Sequence, residues 1–251
     1  MEMPVDDNIW KELSGPCDVL GEEVHVWLAQ LDWTANQLAS GYDILDDDEK
    51  KRADRFIVEK VRDAYVASHA ILRTILAGYS GQSVKGVSYQ YGEYGKPHLA
   101  DNKLISFNMS HSKGVVMIAV AKLCEIGIDV EWENSETECE LLAQRFFAAG
   151  EFRQIMDGDK FMQLKNFFNC WTRKEAFLKV TGKGLSFGLK NFIINVNAEG
   201  NDGLLSVKED VKLAQHYFLS PIYTEPGYQA ALAGVGLQKK VKYFKWLAPK
   251  S

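Results

Sequence analysis

Three acidic residues on two segments carry the first chemical signal. In Gly127-Ile128-Asp129-Val130-Glu131-Trp132 the apolar residues alternate strictly with Gly127, Asp129 and Glu131. Read as a strand, this puts both carboxylates on one face and the apolar side chains on the other. A half-exposed strand whose polar face meets water explains the same alternation. In Trp171-Thr172-Arg173-Lys174-Glu175-Ala176-Phe177-Leu178-Lys179, read as a helix, Glu175 stands three or four positions from Trp171, Leu178 and Lys179. An ordinary surface Glu–Lys pair, worth about 0.2–0.5 kcal/mol, has that spacing too. Taken together, Asp129, Glu131 and Glu175 suit magnesium, which binds one or two carboxylates and completes its shell with water and substrate phosphate. A bound diphosphate would also need cations, for which Lys96, His111, Lys179 and the Lys50–Arg52 cluster are candidates. The chain has no G-x-x-x-x-G-K-[ST], H-E-x-x-H or G-x-S-x-G segment to suggest another phosphate or hydrolase chemistry.

The elements that must position these residues follow from periodicity. Val24–Leu28 reads as a strand, and Asp46, Asp47 and Asp48 open a basic helix over 49–56. A second helix is expected from about Arg62 to Ala77 with Gly78 as its stop. Val87, Tyr89 and Tyr91 alternate before a Gly92–Pro97 turn. Ile105, Phe107 and Met109 alternate again, followed by a Ser110–Gly114 turn and a buried strand from Val115 to Ala121. The second half replays this order, with helices around 141–147 and from about Phe167 to Val180, then a turn over 181–184. His69–Arg73 matches Glu175–Lys179 in pattern at an offset of 106, and Gly114–Met117 resembles Gly227–Ala230. The economical reading is a duplicated α+β unit, segments 1–123 and 124–251, with the boundary near Lys122–Glu125 and a substrate cleft between the halves.

With 46% hydrophobic and 25% charged residues the chain has an ordinary globular composition, and its net charge of −5 disfavours a nucleic-acid partner. Acidic residues in the Met1–Trp10 stretch argue against an export signal, and the longest apolar run, Val115–Ala121, is too short to span a bilayer. A cytoplasmic protein without a membrane partner is therefore expected. Cys17, Cys124, Cys139 and Cys170 are widely spaced and read as reduced structural thiols.

Four segments, in order, resemble the 4′-phosphopantetheinyl transferases of the single-chain, pseudo-dimeric, surfactin-synthetase-activating type. They are Tyr94-Gly95-Lys96-Pro97, Phe107-Asn108-Met109-Ser110-His111-Ser112, Gly127–Glu131 and Trp171–Lys179; with Gly182–Leu185 they span roughly residues 45 to 195. The resemblance implies an α+β pseudo-dimer of two similar α/β subdomains with the active site between them. It implies metal-ligand roles for Asp129, Glu131 and Glu175, and places Lys179 near the reacting phosphate. It further implies that Ser110 and His111 hold a coenzyme A phosphate, that Gly95, Lys96 and Pro97 surround the adenine nucleotide, and that Arg52 or Lys50 of the basic helix meets another phosphate. The implied reaction is that of a holo-[acyl-carrier-protein] synthase. A serine hydroxyl of an apo acyl or peptidyl carrier protein attacks the β-phosphate of coenzyme A, phosphopantetheine transfers, and adenosine 3′,5′-bisphosphate leaves. Mg²⁺ clamps the diphosphate, and Glu175 or a metal-bound water takes the serine proton. The 106-residue offset places His69 where Glu175 stands, so one active site in a monomeric chain is expected. A magnesium-dependent phosphohydrolase and a carrier-binding module with a decayed site are the competing readings.

Overall fold

The structure, a computed structural model, describes residues 9–13, 21–200, 202–237 and 239–248. Met1–Asn8 and Cys17, read above for export and redox state, lie outside the described residues. In chain order the elements of the first half are β1 (Trp10–Leu13), β2 (Val24–Gln30), α1 (Ala35–Ile44), α2 (Asp47–Ala53), α3 (Glu59–Ser80), β3 (Tyr89–Tyr91), β4 (Pro97–Leu99), β5 (Ile105–Ser112) and β6 (Val115–Lys122). The second half contains β7 (Ile126–Trp132), α4 (Cys139–Phe146), α5 (Ala149–Ile155), α6 (Lys160–Thr181), β8 (Phe192–Ile194), β9 (Leu204–Val207), α7 (Val211–Ala214), β10 (Tyr217–Pro221), β11 (Tyr228–Val235) and β12 (Val241–Trp246).

The two halves repeat one plan. A three-strand run β2-β6-β5 in one sheet matches β7-β11-β10 in the other, antiparallel throughout. Each half also packs a 22-residue helix, α3 or α6, which ends on a left-handed glycine, Gly81 (φ 71°) or Gly182 (φ 67°). The duplication is as the sequence suggested, but its helix register is not. Aligning the C-caps puts α3 and α6 101 residues apart, so the counterpart of Glu175 is Thr74, not His69. A buried cation fixes this register. Arg73 of α3 pairs with Asp46 and Glu49 at the start of α2, and Lys174 of α6 pairs with Glu151 in the first turn of α5 at 2.7 Å. Each cation also donates to two carbonyls of its own half: Val84 and Val87, or Leu189 and Phe192.

Other boundaries moved for local reasons. Gly78 lies inside α3, because the left-handed turn that stops the helix falls at Gly81. β5 runs through Ser110, His111 and Ser112, and the turn shrinks to Lys113 (φ 39°) and Gly114 (φ 92°). α6 begins at Lys160, where the Asp159 side chain accepts from the Met162 amide at 2.9 Å. The division at 123/124 falls in the connection between β6 and β7, but sheet membership does not follow it. β12, from the second segment, pairs in parallel with β2 and carries β1 on its far side. This covers the β2 edge, which would otherwise leave a row of backbone groups unpaired.

The sheets share a core. Val24, Val26 and Leu28 of β2 and Met117 and Ala119 of β6 pack against Ile128 and Val130 of β7 and Leu232 of β11. The alternation read from β7 therefore holds: Ile128 and Val130 are buried between the sheets, and the opposite face of the strand looks at α6. Cys124, Cys139 and Cys170 are free thiols.

Candidate active site

Gly127 lets α6 come close enough to build the site. A β-carbon there would stand 2.2 Å from the Ala176 carbonyl oxygen and 2.8 Å from the Val180 nitrogen. No side chain fits, so the helix lies directly on the strand. Two residues further along the same face, Asp129 meets Lys179, whose ammonium donates to Asp129 Oδ1 at 2.7 Å and to the Ile128 carbonyl at 2.9 Å. Glu131 follows, and Glu175 lies one helical turn from Lys179, within electrostatic reach of both acids.

β5 closes the other side through a ladder of short polar side chains. Asn108 Oδ1 accepts from the Ile128 amide at 2.9 Å, Ser110 Oγ donates to Asp129 Oδ1 at 2.8 Å, and Ser112 Oγ donates to Glu131 Oε2 at 2.8 Å. The Trp132 amide donates to Ser112 Oγ at 3.1 Å. The two halves thus join along β5 and β7 by alternate side chains. Asn108 and Ser112 were not singled out from the sequence. Period-2 alternation carried through Ser112 would have found them, but ending the strand before Ser110 hid it.

Burial is the first cause of the unusual electrostatics. It raises the pKa of Asp129, against the opposing pull of Lys179 and Ser110, and leaves Oδ2 of that carboxylate buried without a hydrogen-bond partner. Glu131 is pushed up to about 7 by burial and by Asp129, with a further push from Glu175. Glu175 is raised by burial and by Asp129. Glu131 and Glu175 therefore each feel the charge of Asp129, and the Lys179 ammonium lies against Asp129 itself. Hard oxygen donors and an orphaned carboxylate oxygen are what a divalent cation satisfies. As the side chains stand, no three acid, imidazole or thiol groups among the described residues form a metal-holding group.

The remaining candidates fall into two places. His111 lies on the face of β5 opposite Ser110, and its pKa is lowered by crowding of the ring and by the nearby Lys179 charge. Further along, Arg52 sits over the Tyr65 ring at 5.6 Å, and Tyr65 stacks on His69 at 3.8 Å. His69 is held at about 4 by burial, with Arg52 and His111 among the charges acting on it. Arg52, His69, His111 and Lys179 thus form a cationic and imidazole strip linking the halves. Lys50 lies over Tyr42 at 5.6 Å, and the neighbouring Glu49 is a buried partner of Arg73. At the start of β7, Lys96 donates to Glu125 at 2.7 Å and to the Ile126 carbonyl at 3.1 Å. Gly95 takes φ 82° in the turn before it, and Pro97 opens β4. Trp171 packs on Phe167, and Leu178 is buried in the second-half core, so the face shared with Glu175 is partly core.

An acidic face on β7 and α6 of the second half is thus closed by polar side chains of β5 from the first half. Residues 32–123 match the profile of the 4′-phosphopantetheinyl transferase N-terminal domain, and residues 125–233 match that of the 4′-phosphopantetheinyl transferase superfamily. The 4′-phosphopantetheinyl transferase HetI of Nostoc sp. is 39% identical over 67% of this chain and 72% of its own length. The transferase psf-1 of Bacillus pumilus is 31% identical over 67% and 71%, and Sfp of Bacillus subtilis is 28% identical over 74% and 80%. The chain belongs to the 4′-phosphopantetheinyl transferase superfamily and is a transferase of phosphopantetheine to carrier proteins. Among the described residues, no helix is long and apolar enough to cross a membrane.

Proposed function

We propose that the chain moves 4′-phosphopantetheine from coenzyme A to a serine hydroxyl of an apo acyl or peptidyl carrier protein, releasing adenosine 3′,5′-bisphosphate, with Mg²⁺ held by Asp129, Glu131 and Glu175. The observation that carries the assignment is Asp129, buried beside Lys179 with Oδ2 unpartnered, and with Glu131 and Glu175 within electrostatic reach. When bound, the ion would neutralise the diphosphate and offset charge developing on it. Lys179, already beside Asp129, adds a second positive charge where the reacting phosphate would lie. Glu175 is half-buried with a raised pKa, which makes it a stronger base than an ordinary carboxylate for the serine proton.

The donor lies along the strip from Lys179 through His111 to Arg52, with Gly95, Lys96 and Pro97 beside the adenine nucleotide. Ser110 holds Asp129 in place, and Lys96 ties its turn to β7. The carrier enters from the Glu175 side, where its serine meets both base and phosphate. The protein works as a single chain in the cytoplasm.

The test is incubation with apo carrier protein, coenzyme A and Mg²⁺, read by mass spectrometry. One added phosphopantetheine per carrier is expected, and no mass change on several unrelated carriers would overturn the reading. Asp129→Ala and Glu175→Ala should abolish transfer with the circular dichroism spectrum intact. Full activity in either would remove the acidic face from the mechanism. Consumption of coenzyme A without a carrier would instead point to hydrolysis.

A further inference from the structure

At the Ile126 end of β7 the surface breaks the usual rule for a soluble chain. Leu237 is 87% exposed, Leu123 73%, Leu104 50% and Val235 44%. They come from three separate connections that meet in space. The Leu123 amide donates to the Leu104 carbonyl at 2.8 Å, the Val235 amide donates to the Glu125 carbonyl at 2.9 Å, and Cys124 Sγ lies 3.1 Å from the Val235 oxygen. Two of the tips stand on left-handed backbone, Leu123 itself (φ 55°) and Gly236 (φ 91°) just before Leu237. A bulky aliphatic residue in that conformation and turned to water carries both strain and exposure, a combination concentrated at functional surfaces.

The charge around the tips selects the partner. Lys103 and Lys240 are exposed, Lys122 adjoins Leu123, and Lys239 reaches across to donate to the Lys122 carbonyl at 3.2 Å. Among the neighbouring carboxylates, Glu125 is occupied by Lys96 and Ser106, Glu23 by Lys242, and Asp101 accepts from Gln82, while Glu22 is exposed. Counting Lys96 and Lys242, six lysines stand against the four carboxylates Glu22, Glu23, Asp101 and Glu125, an excess of positive charge on a chain of net charge −5. Separate apolar tips inside a cationic rim match a soft anionic interface better than a shaped protein groove, since each tip can enter the headgroup layer on its own.

We propose that this end is a contact surface for an anionic lipid bilayer, with Leu123 and Leu237 as the inserting residues. The sequence excluded a membrane span, and surface contact needs none. Glu131 is six residues from Glu125, which precedes β7, about 20 Å away at strand spacing, so docking leaves the carboxylate face free while the Lys96 turn borders the contact.

The test uses the full chain with vesicles of phosphatidylcholine alone and of phosphatidylcholine mixed with phosphatidylglycerol, read by co-sedimentation. At least ~10-fold stronger partitioning to the anionic vesicles is expected, weakening as salt is raised. Leu123→Asp with Leu237→Asp should abolish it while thermal midpoint and carrier modification in solution stay unchanged. Aspartate tolerates the left-handed position, so this variant should fold. Lys103→Glu with Lys240→Glu should remove the preference for anionic lipid. Equal partitioning of the wild type to both vesicles, or undiminished binding by the double aspartate variant, would overturn the proposal. Loss of carrier modification in that variant, with no vesicle binding by the wild type, would identify a protein contact instead.

Discussion

Replacing Glu131 by glutamine should stabilise the fold above neutral pH while removing activity. The fold lifts this carboxyl from 4.5 to about 7, chiefly by burial and by Asp129. Between those values the native chain holds a proton that the unfolded chain has released. The contribution of this group to stability therefore falls as pH rises through the window, and its penalty is complete above about 7. At 1.36 kcal/mol per unit the ceiling is about 3 kcal/mol; with the group only half-buried, about 1–2 kcal/mol is the working figure. Glutamine keeps an acceptor for Ser112 Oγ and has no charge to set against Asp129. For a chain of this size the gain corresponds to a thermal midpoint roughly 2–8 °C higher at pH 8 without divalent metal, vanishing toward pH 4.5. Circular dichroism melts across pH 4.5–8 measure it. With Mg²⁺ added, the wild type should regain stability and the variant should not follow. Equal midpoints of wild type and variant at pH 8 would refute the mutual repulsion of the acids.

Gly127→Ala should push α6 off β7, costing about 1–3 kcal/mol or more and lowering transfer at least ~10-fold, because the added carbon meets backbone atoms that cannot rotate away. An unchanged melt and rate would show that the helix is not seated as described. Lys174→Met should leave Glu151 buried and unpaired, at about 3–5 kcal/mol, measured by urea unfolding; a loss below about 1 kcal/mol would contradict the paired burial. Arg52→Ala, at the exposed end of the strip, should raise KM for coenzyme A about 10-fold with kcat little changed. A lower kcat at unchanged KM would remove Arg52 from donor binding.

What could be read from the chain divides by the kind of signal. Strand alternation placed Asp129 and Glu131 on one face because β7 is buried between a core and a helix, which imposes the period on every residue. The ordered family segments supplied the substrate, which no periodicity could. The Asn108-Ser110-Ser112 ladder was missed because its partners lie some 20 residues away, and only the folded seam shows that these polar groups have acceptors and donors waiting. Lys96 was read as a candidate cation for a bound phosphate; its contact with Glu125 lies between turns and has no local signature. Arg73 and Lys174 were not singled out, because a buried ion pair on a helix looks like any other basic position until its carboxylate partner is placed.

Registered by the C-caps, the two halves differ at the positions of the acidic face. β2 and β7 are both seven residues long and pair with their neighbours in the same way, so Trp27 stands where Asp129 does and Ala29 where Glu131 does. On the helices, Thr74 and Gly78 replace Glu175 and Lys179. All four charged positions of the acidic face are thus uncharged in the first half. The space beside β2 is also filled: β12 lies against it, and Phe244 stacks on Trp27 at 4.8 Å. Duplication kept what holds each half together, the buried cation, the glycine cap and the antiparallel strands. It discarded the chemistry from one copy, and β12 took that edge.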